Sequence, residues 1–345
     1  MRMKLVWRFK MDIRRVIQTI DTHTVGAPTR HVVGGVPMIP GGTMSEKMAY
    51  MRESGDWLRR FVTYEPRGSR VSAATLIMSP CTPGTDIGVL YFEPNGWLPM
   101  CGHDTIGIGT LIVETGMVNV TEPYTHAKLD TPAGVIELKI KVENGKAAEV
   151  SFVNAPAFVA VQDAVVETKE YGAITVSVCY GGNFYAILPV STVGLEICPE
   201  NYHCLIAAAD VIKPYINDQL QIVHPENNLI RGVSHVEFTG PPKNPAAYSQ
   251  NAVVCTPGGI DRSPCGTGTS ARCALLYQTG EIGIGEEFIH ESIIGSLYSC
   301  RAIETTTVGP YQAVIPEVTG KSYIMGMSTL MLDPDDPFTE GFLLG

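Results

Sequence analysis

The chain has 345 residues, of which 45% are hydrophobic and 17% charged, enough apolar material for about two domains of ordinary size. No window of about twenty apolar residues without charge occurs, so no membrane span is expected. The formal net charge of −10 argues against nucleic acid or an anionic membrane as a partner, because both carry negative charge themselves.

The cysteine and histidine content predicts free thiols and no metal. Nine cysteines are an odd number and too sparse for a disulfide scaffold, and the opening "MRMKLVWRFK" lacks the apolar run and cleavage site of a secretory signal. We therefore expect a cytoplasmic protein, and we treat residues 1–11 as an N-terminal extension. The sequence has no CxxC, HxxxH or HExxH spacing, so no structural or catalytic metal is expected.

In chain order, the first predicted elements are strands and one helix. Residues 14–37 alternate apolar runs with Gly and Pro, which predicts strand, loop, strand. Residues 44–62 have an amphipathic helical pattern, and Ser45 is placed to cap that helix. Short strands are predicted at 74–79 and 87–93, separated by turns that contain Pro and Gly.

The later elements are again mostly strands. The pattern predicts a hairpin over 134–153 that turns at Glu143-Asn144-Gly145, a strand–loop–strand unit over 173–190, a helix over about 199–217 and a strand over 322–336. Strands and helices do not alternate strictly, and the motifs GxGxxG, GxxxxGK[ST] and GxSxG do not occur. The sequence therefore disfavours the Rossmann, P-loop and α/β-hydrolase folds.

One segment of the chain occurs twice, at an offset of 164 residues. Its matching pairs are Cys101-Gly102 with Cys265-Gly266, Thr105 with Thr269, Leu111 with Leu275, and Thr115-Gly116 with Thr279-Gly280. A looser echo pairs "DTHTVGAPTRHVV" with "CYGGNFYAILPV", about 159 residues further on. The matching order of elements indicates an internal duplication.

Each copy is predicted to place a thiol at a helix N-terminus, with Gly permitting the turn and Thr-Gly ending the helix. The first helix, which contains "TIGIGTLIV", is apolar nearly all round and should be buried. The partial positive charge of a helix N-terminus predicts a cysteine pKa lowered from about 8.5 to roughly 3.5–7.5, and its N–H groups can hold a carboxylate. The remaining cysteines are expected to be inert core residues: Cys81, Cys179, Cys198, Cys204, Cys273 and Cys300.

Two acid–base thiols that face one pocket suit racemisation or epimerisation at an α-carbon. One cysteine starts as thiolate and the other as thiol, and the two exchange roles with the handedness of the substrate. Because the thiols are coupled, their pKa values would belong to the pair. The enediolate-like transition state needs preorganised N–H donors, which two helix N-termini could provide. This scheme requires no cofactor.

Several motifs resemble the proline racemase family, which includes 4-hydroxyproline 2-epimerases and trans-3-hydroxyproline dehydratases. They are "MCGH" (100–103), "DRSPCGTGTSA" (261–271), "DTHTVGAPTRHVVGG" and "EPRG" (65–68). The resemblance implies an α/β (α+β) fold of two pseudo-symmetric halves of mixed strands around a central buried helix, as in diaminopimelate epimerase, with the active site in the cleft between them. It also implies that the C-terminal strand completes the first half, so that 12–127 plus 322–345 form one half and 128–321 the other.

The resemblance also implies roles for individual residues. Cys101 and Cys265 would be the two acid–base residues, His103 and Asp261 would contact the substrate amine, and Gly102, Gly266 and Thr267 would bind its carboxylate. We expect a homodimer that needs no cofactor and interconverts L- and D-proline. The alternative is a 4-hydroxyproline 2-epimerase or a broader amino-acid racemase.

Three positions depart from the family's pattern. Proline racemases typically carry Phe a few residues after EPRG and ten residues before the second catalytic cysteine, where this chain has Ala73 and Cys255. The wall around a pyrrolidine ring would therefore be looser, with room for a substituted ring or an acyclic amino acid. Asp104 stands where the motif commonly has Gly, and we expect it to be solvated rather than an extra acid in the pocket. The dehydratases carry Thr in place of the second cysteine, so Cys265 disfavours dehydration.

Other functional classes stay open at this point. A redox or nucleophilic thiol enzyme would need a resolving cysteine or a Cys-His-Asn/Asp set. A ligand-binding protein without catalysis would have no use for two intact cysteines. The hydroxyproline alternative would be favoured by a polar group in the pocket, and neither Ala73 nor Cys255 offers a strong hydrogen bond.

Overall fold

The computed structural model describes residues 15–255 and 259–344, and strands dominate this part of the chain. The extension predicted for residues 1–11 lies outside the described residues. The helices are α1 (Met44–Ser54), α2 (Trp57–Thr63), α3 (Gly102–Glu114), α4 (Tyr202–Gln219) and α5 (Gly266–Gln278), with short 3₁₀ turns at Val190–Val193 and Pro199–Asn201. Among these described helices, none combines the length and apolarity needed to span a bilayer.

The strands fall into two runs along the chain. The first run is β1 (Arg15–Thr24), β2 (Ala27–Gly34), β3 (Ala73–Met78), β4 (Ile87–Glu93), β5 (Gly96–Leu98), β6 (Tyr124–Thr131), β7 (Gly134–Glu143) and β8 (Lys146–Val153). The second run is β9 (Ala157–Thr168), β10 (Gly172–Tyr180), β11 (Phe184–Pro189), β12 (Val223–His224), β13 (Asn227–Arg231), β14 (His235–Gly240), β15 (Ser249–Cys255), β16 (Gly259–Ile260), β17 (Glu287–Glu291), β18 (Leu297–Val308), β19 (Tyr311–Gly320) and β20 (Ser322–Leu332).

The same order of strand pairings occurs twice. In the first set, the neighbours run β20–β1–β2–β3–β4–β6–β7–β8, with β2–β3 and β4–β6 parallel and the others antiparallel. In the second set, they run β9–β10–β11–β14–β15–β17–β18–β19, with β11–β14 and β15–β17 parallel. Strand β19 also pairs with β9 and with β8, so it closes the second set and joins it to the first.

Each set of strands holds one of the two long helices that follow a Cys-Gly step. Helix α3 packs against β1, β8 and β20, and α5 packs against β9, β18 and β19. Every residue of α3 from Asp104 to Val113 is buried, which confirms the prediction from its apolar sequence. Side chains of both helices share one hydrophobic cluster, in which Ile106 and Ile112 of α3 meet Leu276 of α5. The core therefore extends from one set of strands into the other.

Several local predictions are confirmed and others need correction. The hairpin of β7 and β8 turns at Asn144 and Gly145, whose φ angles of 54° and 73° suit this tight turn. The predicted helix over 44–62 is broken at Gly55 into α1 and α2, and its cap is Thr43, whose hydroxyl accepts from the N–H of Glu46, rather than Ser45. The mixed α/β fold is confirmed, while the predicted boundary between residues 127 and 128 falls inside β6.

Candidate active site

Both repeated cysteines are the N-cap residues of their helices. Cys101 precedes α3, and Cys265 precedes α5 with a φ of +65°, a left-handed backbone that is rare outside glycine. The thiol of Cys265 accepts a hydrogen bond from the N–H of Gly268 at 3.4 Å. The Thr-Gly stops are also confirmed, because Gly116 and Gly280 follow the two helices with φ angles of +70° and +76°.

The N-termini of α3 and α5 touch each other. A Cβ atom built on Gly102 would lie 3.0 Å from Cα of Gly266, and one built on Gly266 would lie 3.1 Å from Cα of Gly102. In both cases the ring of Phe152 would be 3.2 Å away. Only glycine leaves room for this approach, and it brings the two cysteines, which precede these glycines in the chain, to one place in the structure.

The thiol of Cys101 lies against a histidine that is itself bonded to an acid. The Sγ atom of Cys101 is 3.4 Å from Nδ1 of His103, and Nε2 of His103 is 3.1 Å from Oδ1 of Asp104. The hydroxyl of Thr29 donates to the same carboxylate oxygen at 2.6 Å. Asp104 is fully buried, so the expectation that it would be solvated is wrong: the helix turns its side chain inward, toward β2 and His103.

The surroundings of Cys265 contain hydroxyl groups instead of an imidazole. Oη of Tyr185 lies 3.5 Å from its Sγ atom, and Oγ1 of Thr267 lies 3.8 Å away. Tyr185 and Thr267 share a hydrogen bond of 2.5 Å. Both thiols therefore belong to N-cap residues, but Cys101 has an extended backbone and no cap hydrogen bond, and the two have different neighbours.

Burial outweighs the helix N-termini in setting the thiol pKa values. Burial raises the pKa of Cys101 to about 12, with the charge of Asp104 adding to it and His103 opposing it. Burial and the charge of Asp261 also raise the pKa of Cys265. The predicted lowering is therefore wrong for these buried thiols, because an isolated thiolate would lose its hydration. Burial alone would lower the pKa of His103, but the negative charges of Cys101 and Asp104 raise it well above its usual value.

A cavity opens beside these groups. Its lining includes four of the predicted site residues, namely Ala73, His103, Cys255 and Asp261. Neither Cys101 nor Cys265 is among its lining residues. Cys101 lies behind the cavity, against the lining residue His103, and Gly102, Gly266 and Thr267 lie at the buried helix starts. Asp261 is already engaged, since its Oδ1 atom accepts from the N–H and the hydroxyl of Ser263 at 2.8 and 2.9 Å.

Two further groups at the site were not predicted from the sequence. Glu93, at the end of β4, lines the cavity, and burial raises the pKa of its carboxyl to about 7 although the charge of His103 opposes this. Tyr185 reaches the Cys265 thiol from β11. The signal for Tyr185 was its place in the looser echo, and the signal for Glu93 was an acid that directly follows a buried apolar strand. Among the cysteines expected to be core, Cys204 is exposed and Cys81 and Cys198 are half-buried.

Cys101, His103 and Asp104 also form a group of possible metal ligands, with donor atoms within 4.8 Å of one another. The geometry favours a proton relay over a chelate, because the two ring nitrogens of His103 face different partners. To bind a metal, one nitrogen of His103, the sulfur of Cys101 and the carboxylate of Asp104 would all have to face the same ion. The expectation that the protein uses no metal stays a prediction.

The fold and this site are those of an isomerase that acts on amino acids, a racemase or epimerase. The chain belongs to the proline racemase family, whose sequence model, described as proline racemase, matches residues 19–343. A 4-hydroxyproline 2-epimerase from Streptosporangium roseum is 45% identical over 334 residues, which cover 97% of this chain and 100% of the relative. A proline racemase from Clostridioides difficile is 42% identical over 334 residues, which again cover 97% of this chain and 100% of the relative.

A solved structure agrees with this assignment. The hydroxyproline epimerase from Agrobacterium vitis, with bound trans-4-hydroxy-L-proline, superimposes with a TM-score of 0.87 at 34% identity. The alignment covers 96% of each chain. The whole described fold therefore matches that of a family member.

Proposed function

We propose that this protein is a cofactor-independent racemase or epimerase of proline-type amino acids that uses Cys101 and Cys265 as its two bases. The observation that carries the proposal is the contact between Gly102 and Gly266, which places two cysteine-capped helix N-termini together. A two-base reaction needs one acid–base group on each face of the same carbon, and this arrangement supplies a pair.

The proposed reaction removes a proton from one face of Cα and adds a proton to the opposite face. The thiolate of one cysteine takes the proton from Cα as the C–H bond breaks, and the electron pair passes into the carboxylate as an enediolate. The thiol of the other cysteine then donates its proton to the opposite face of Cα. The N–H groups at the starts of α3 and α5 would hold the carboxylate and stabilise the charge that develops there. Asp261 would hold the substrate amine. His103, predicted for the same role, has both ring nitrogens facing Cys101 and Asp104.

The Cys-His-Asp set at Cys101 is also what a nucleophilic thiol enzyme would require. A nucleophilic mechanism leaves Cys265 without a role, whereas proton transfer uses both thiols. The arrangement of the two helix starts therefore favours isomerisation.

The cavity favours a hydroxylated ring over proline itself. Ala73 and Cys255 form a wall of small side chains, and the polar groups of Glu93 and Ser72 line the same cavity. A site that can hydrogen-bond a hydroxyl discriminates strongly against a substrate that lacks it. We therefore place 4-hydroxyproline ahead of proline as the substrate, with proline racemisation as the second candidate.

Exchange of the α-proton tests the activity. The enzyme is incubated in D₂O with L- and D-proline and with both 2-epimers of 4-hydroxyproline, and deuterium at Cα is followed by mass spectrometry. We expect uptake with 4-hydroxyproline, slower uptake with proline, and loss of epimerisation in Cys101→Ser and in Cys265→Ser. The matched control is Cys204→Ser, at an exposed cysteine. Epimerisation that survives in Cys265→Ser would contradict the two-base assignment, and wild-type protein that exchanges none of these α-protons would contradict the activity.

The repeated strand pairing supports an organisation of two pseudo-symmetric halves. The repeat would place residues 15–153 with β20 in the first half and 157–320 in the second, which moves the boundary from the predicted 127/128 to the connection between β8 and β9. Homodimer formation and a cytoplasmic location stay expectations from the sequence.

A further inference from the structure

We propose that Asp104 is a positioning residue that orients His103 against Cys101 and thereby makes Cys101 the resting base of the pair, with Cys265 the resting acid. This inference rests on the proposed two-base function and deepens it by assigning different starting roles to the two thiols. Nothing in the repeat itself requires such a difference, because both cysteines cap equivalent helices.

His103 lies between Cys101 and Asp104, and Thr29 in turn holds Asp104. The Thr29 hydroxyl donates to Oδ1 of Asp104 at 2.6 Å, and the same oxygen lies 3.1 Å from Nε2 of His103. Since Asp104 is buried and already accepts from Thr29, it is suited to act as a carboxylate that accepts the Nε2–H proton. Its other oxygen has no hydrogen-bond partner among the described residues, so His103 provides its only compensating positive charge at hydrogen-bond distance.

This orientation fixes the tautomer of the ring. When Nε2 carries the proton that is donated to Asp104, Nδ1 presents its lone pair, and Nδ1 is the atom that lies 3.4 Å from Sγ of Cys101. The Cys101 proton can then pass to Nδ1: the S–H bond breaks, an N–H bond forms, and a thiolate beside an imidazolium results. Burial and the charge of Asp104 oppose a free thiolate at Cys101. The negative charge is therefore held only as this ion pair with His103, whose pKa the same charges raise well above its usual value. Asp104 stabilises that imidazolium, as a buried carboxylate does when it holds a catalytic histidine.

The second helix has no histidine and acid at the corresponding positions. At the offset of 164 residues, His103 corresponds to Thr267 and Asp104 to Gly268. The neighbours of the Cys265 thiol are the hydroxyls of Tyr185 and Thr267 and the N–H of Gly268. None of these groups accepts a proton at neutral pH to form a stable cation. The N–H of Gly268 and the hydroxyl of Tyr185 favour the Cys265 thiolate as donors, but neither can take up its proton. With Cys101 ionised, we therefore place the proton of the pair on Cys265.

Other titratable groups also face His103 and must be considered in any pH dependence. They come from four different elements, namely His31 on β2, Glu93 on β4, Asp261 after β16 and Tyr298 on β18. Among the described residues, hydrogen bonds to the ring of His103 come from Cys101 and Asp104. Replacing Asp104 therefore acts on the tautomer, which the more distant charges cannot fix.

The first test measures which thiol is ionised at rest. Wild-type protein is treated briefly with iodoacetamide at neutral pH, and the alkylation of Cys101 and Cys265 is read by peptide mass spectrometry. We expect Cys101 to react at least about tenfold faster, because the thiolate is the nucleophile. In Asp104→Asn the amide can donate to Nε2 and reverse the tautomer, so the preference for Cys101 should disappear. Equal rates in the wild type, or an unchanged preference in Asp104→Asn, would overturn the proposal.

The second test measures the pH profile of kcat. Removing the buried negative charge of Asp104 lowers the pKa of His103, so both limbs of the profile should move to lower pH in Asp104→Asn, with kcat reduced about 10- to 100-fold. Thr29→Val keeps the negative charge of Asp104 and removes a hydrogen bond that partly neutralises it, so it should shift the limbs slightly to higher pH, opposite to Asp104→Asn. A uniform loss of kcat with fixed limbs in both variants would assign Asp104 a purely structural role.

Asp130→Asn is the matched control, because Asp130 is also a buried acid and accepts from the N–H groups of Cys81 and Thr82 outside the site. It should lower stability without moving the limbs or the alkylation preference. The alkylation assay needs no substrate. If the wild type isomerises no amino acid, the proposed function fails, while the ratio of Cys101 to Cys265 alkylation still decides the role of Asp104.

Discussion

The contact between the two helix N-termini predicts that a single methyl group at either glycine will impair the enzyme. We consider Gly102→Ala and Gly266→Ala. Neither glycine has a left-handed backbone, so alanine can adopt both conformations and the effect of the substitution is one of space. The two changes insert the same group into the same contact from opposite sides.

The magnitude follows from the distances. The new Cβ atoms would lie 3.0 and 3.1 Å from the opposing Cα atoms and 3.2 Å from the ring of Phe152, whereas carbon atoms prefer about 3.5–4.0 Å. The helix starts must therefore separate by roughly 0.5–1 Å. Overpacking of this kind costs about 1–3 kcal/mol of stability, and a displacement of about 1 Å at reacting groups can lower the rate on the order of 100-fold.

The assay combines kcat/KM for epimerisation with thermal unfolding. We expect both alanine variants to lose about 100-fold in kcat/KM while they remain folded, and the double variant to lose less than the product of the single losses, because both methyl groups open one contact. Gly326→Ala on β20 is the control, since a Cβ there meets no atom within 4 Å. If Gly102→Ala and Gly266→Ala keep the activity of Gly326→Ala, the two helix starts do not set the catalytic geometry.

Three further predictions concern groups near the site. Burial raises the pKa of Glu237 to about 8, so the wild type should lose stability as the pH rises from about 4.5 through 8, and Glu237→Gln should remove that loss. Urea unfolding at pH 5 and 9 measures it, with the exposed Glu304→Gln as control. An equal change of stability with pH in all three proteins would refute the prediction. Cys255→Phe should fill the cavity wall and raise the kcat/KM ratio of proline to 4-hydroxyproline about tenfold, and a ratio that does not move would remove Cys255 from substrate selection. Tyr185→Phe should lower kcat about tenfold with little change in KM, because it removes the hydroxyl beside the Cys265 thiol; a change confined to KM would indicate a role in binding instead.

The helices that carry the two cysteines could be predicted because local rules determine them. A Cys-Gly step begins each helix and a Thr-Gly step ends it, and Gly116 and Gly280 adopt the left-handed backbone that such an ending needs. These features depend on neighbours within a few residues. The repeat supports each of these predictions a second time, because the same sequence signals recur 164 residues apart.

The electrostatics of the site could not be predicted in the same way. Whether Asp104 is solvated or buried depends on which strand faces α3, and its partner Thr29 lies 75 residues earlier in the chain. The thiol pKa values depend on how completely the surrounding strands and helices exclude water, and that loss of hydration exceeds the effect of a helix N-terminus. Glu93 likewise belongs to the site only because β4 ends at the cavity.

The unequal surroundings of the two thiols have a definite kinetic consequence. A catalyst accelerates both directions of a reaction alike, so no arrangement of His103 and Asp104 can displace the equilibrium between the 2-epimers of 4-hydroxyproline or between L- and D-proline. The relay at Cys101 acts only on the free enzyme, where it sets the fraction of molecules that carry the proton on Cys265. That fraction determines which epimer is bound productively without prior proton redistribution. The difference between the two thiols should therefore be sought in the alkylation preference and in the approach to equilibrium from each side.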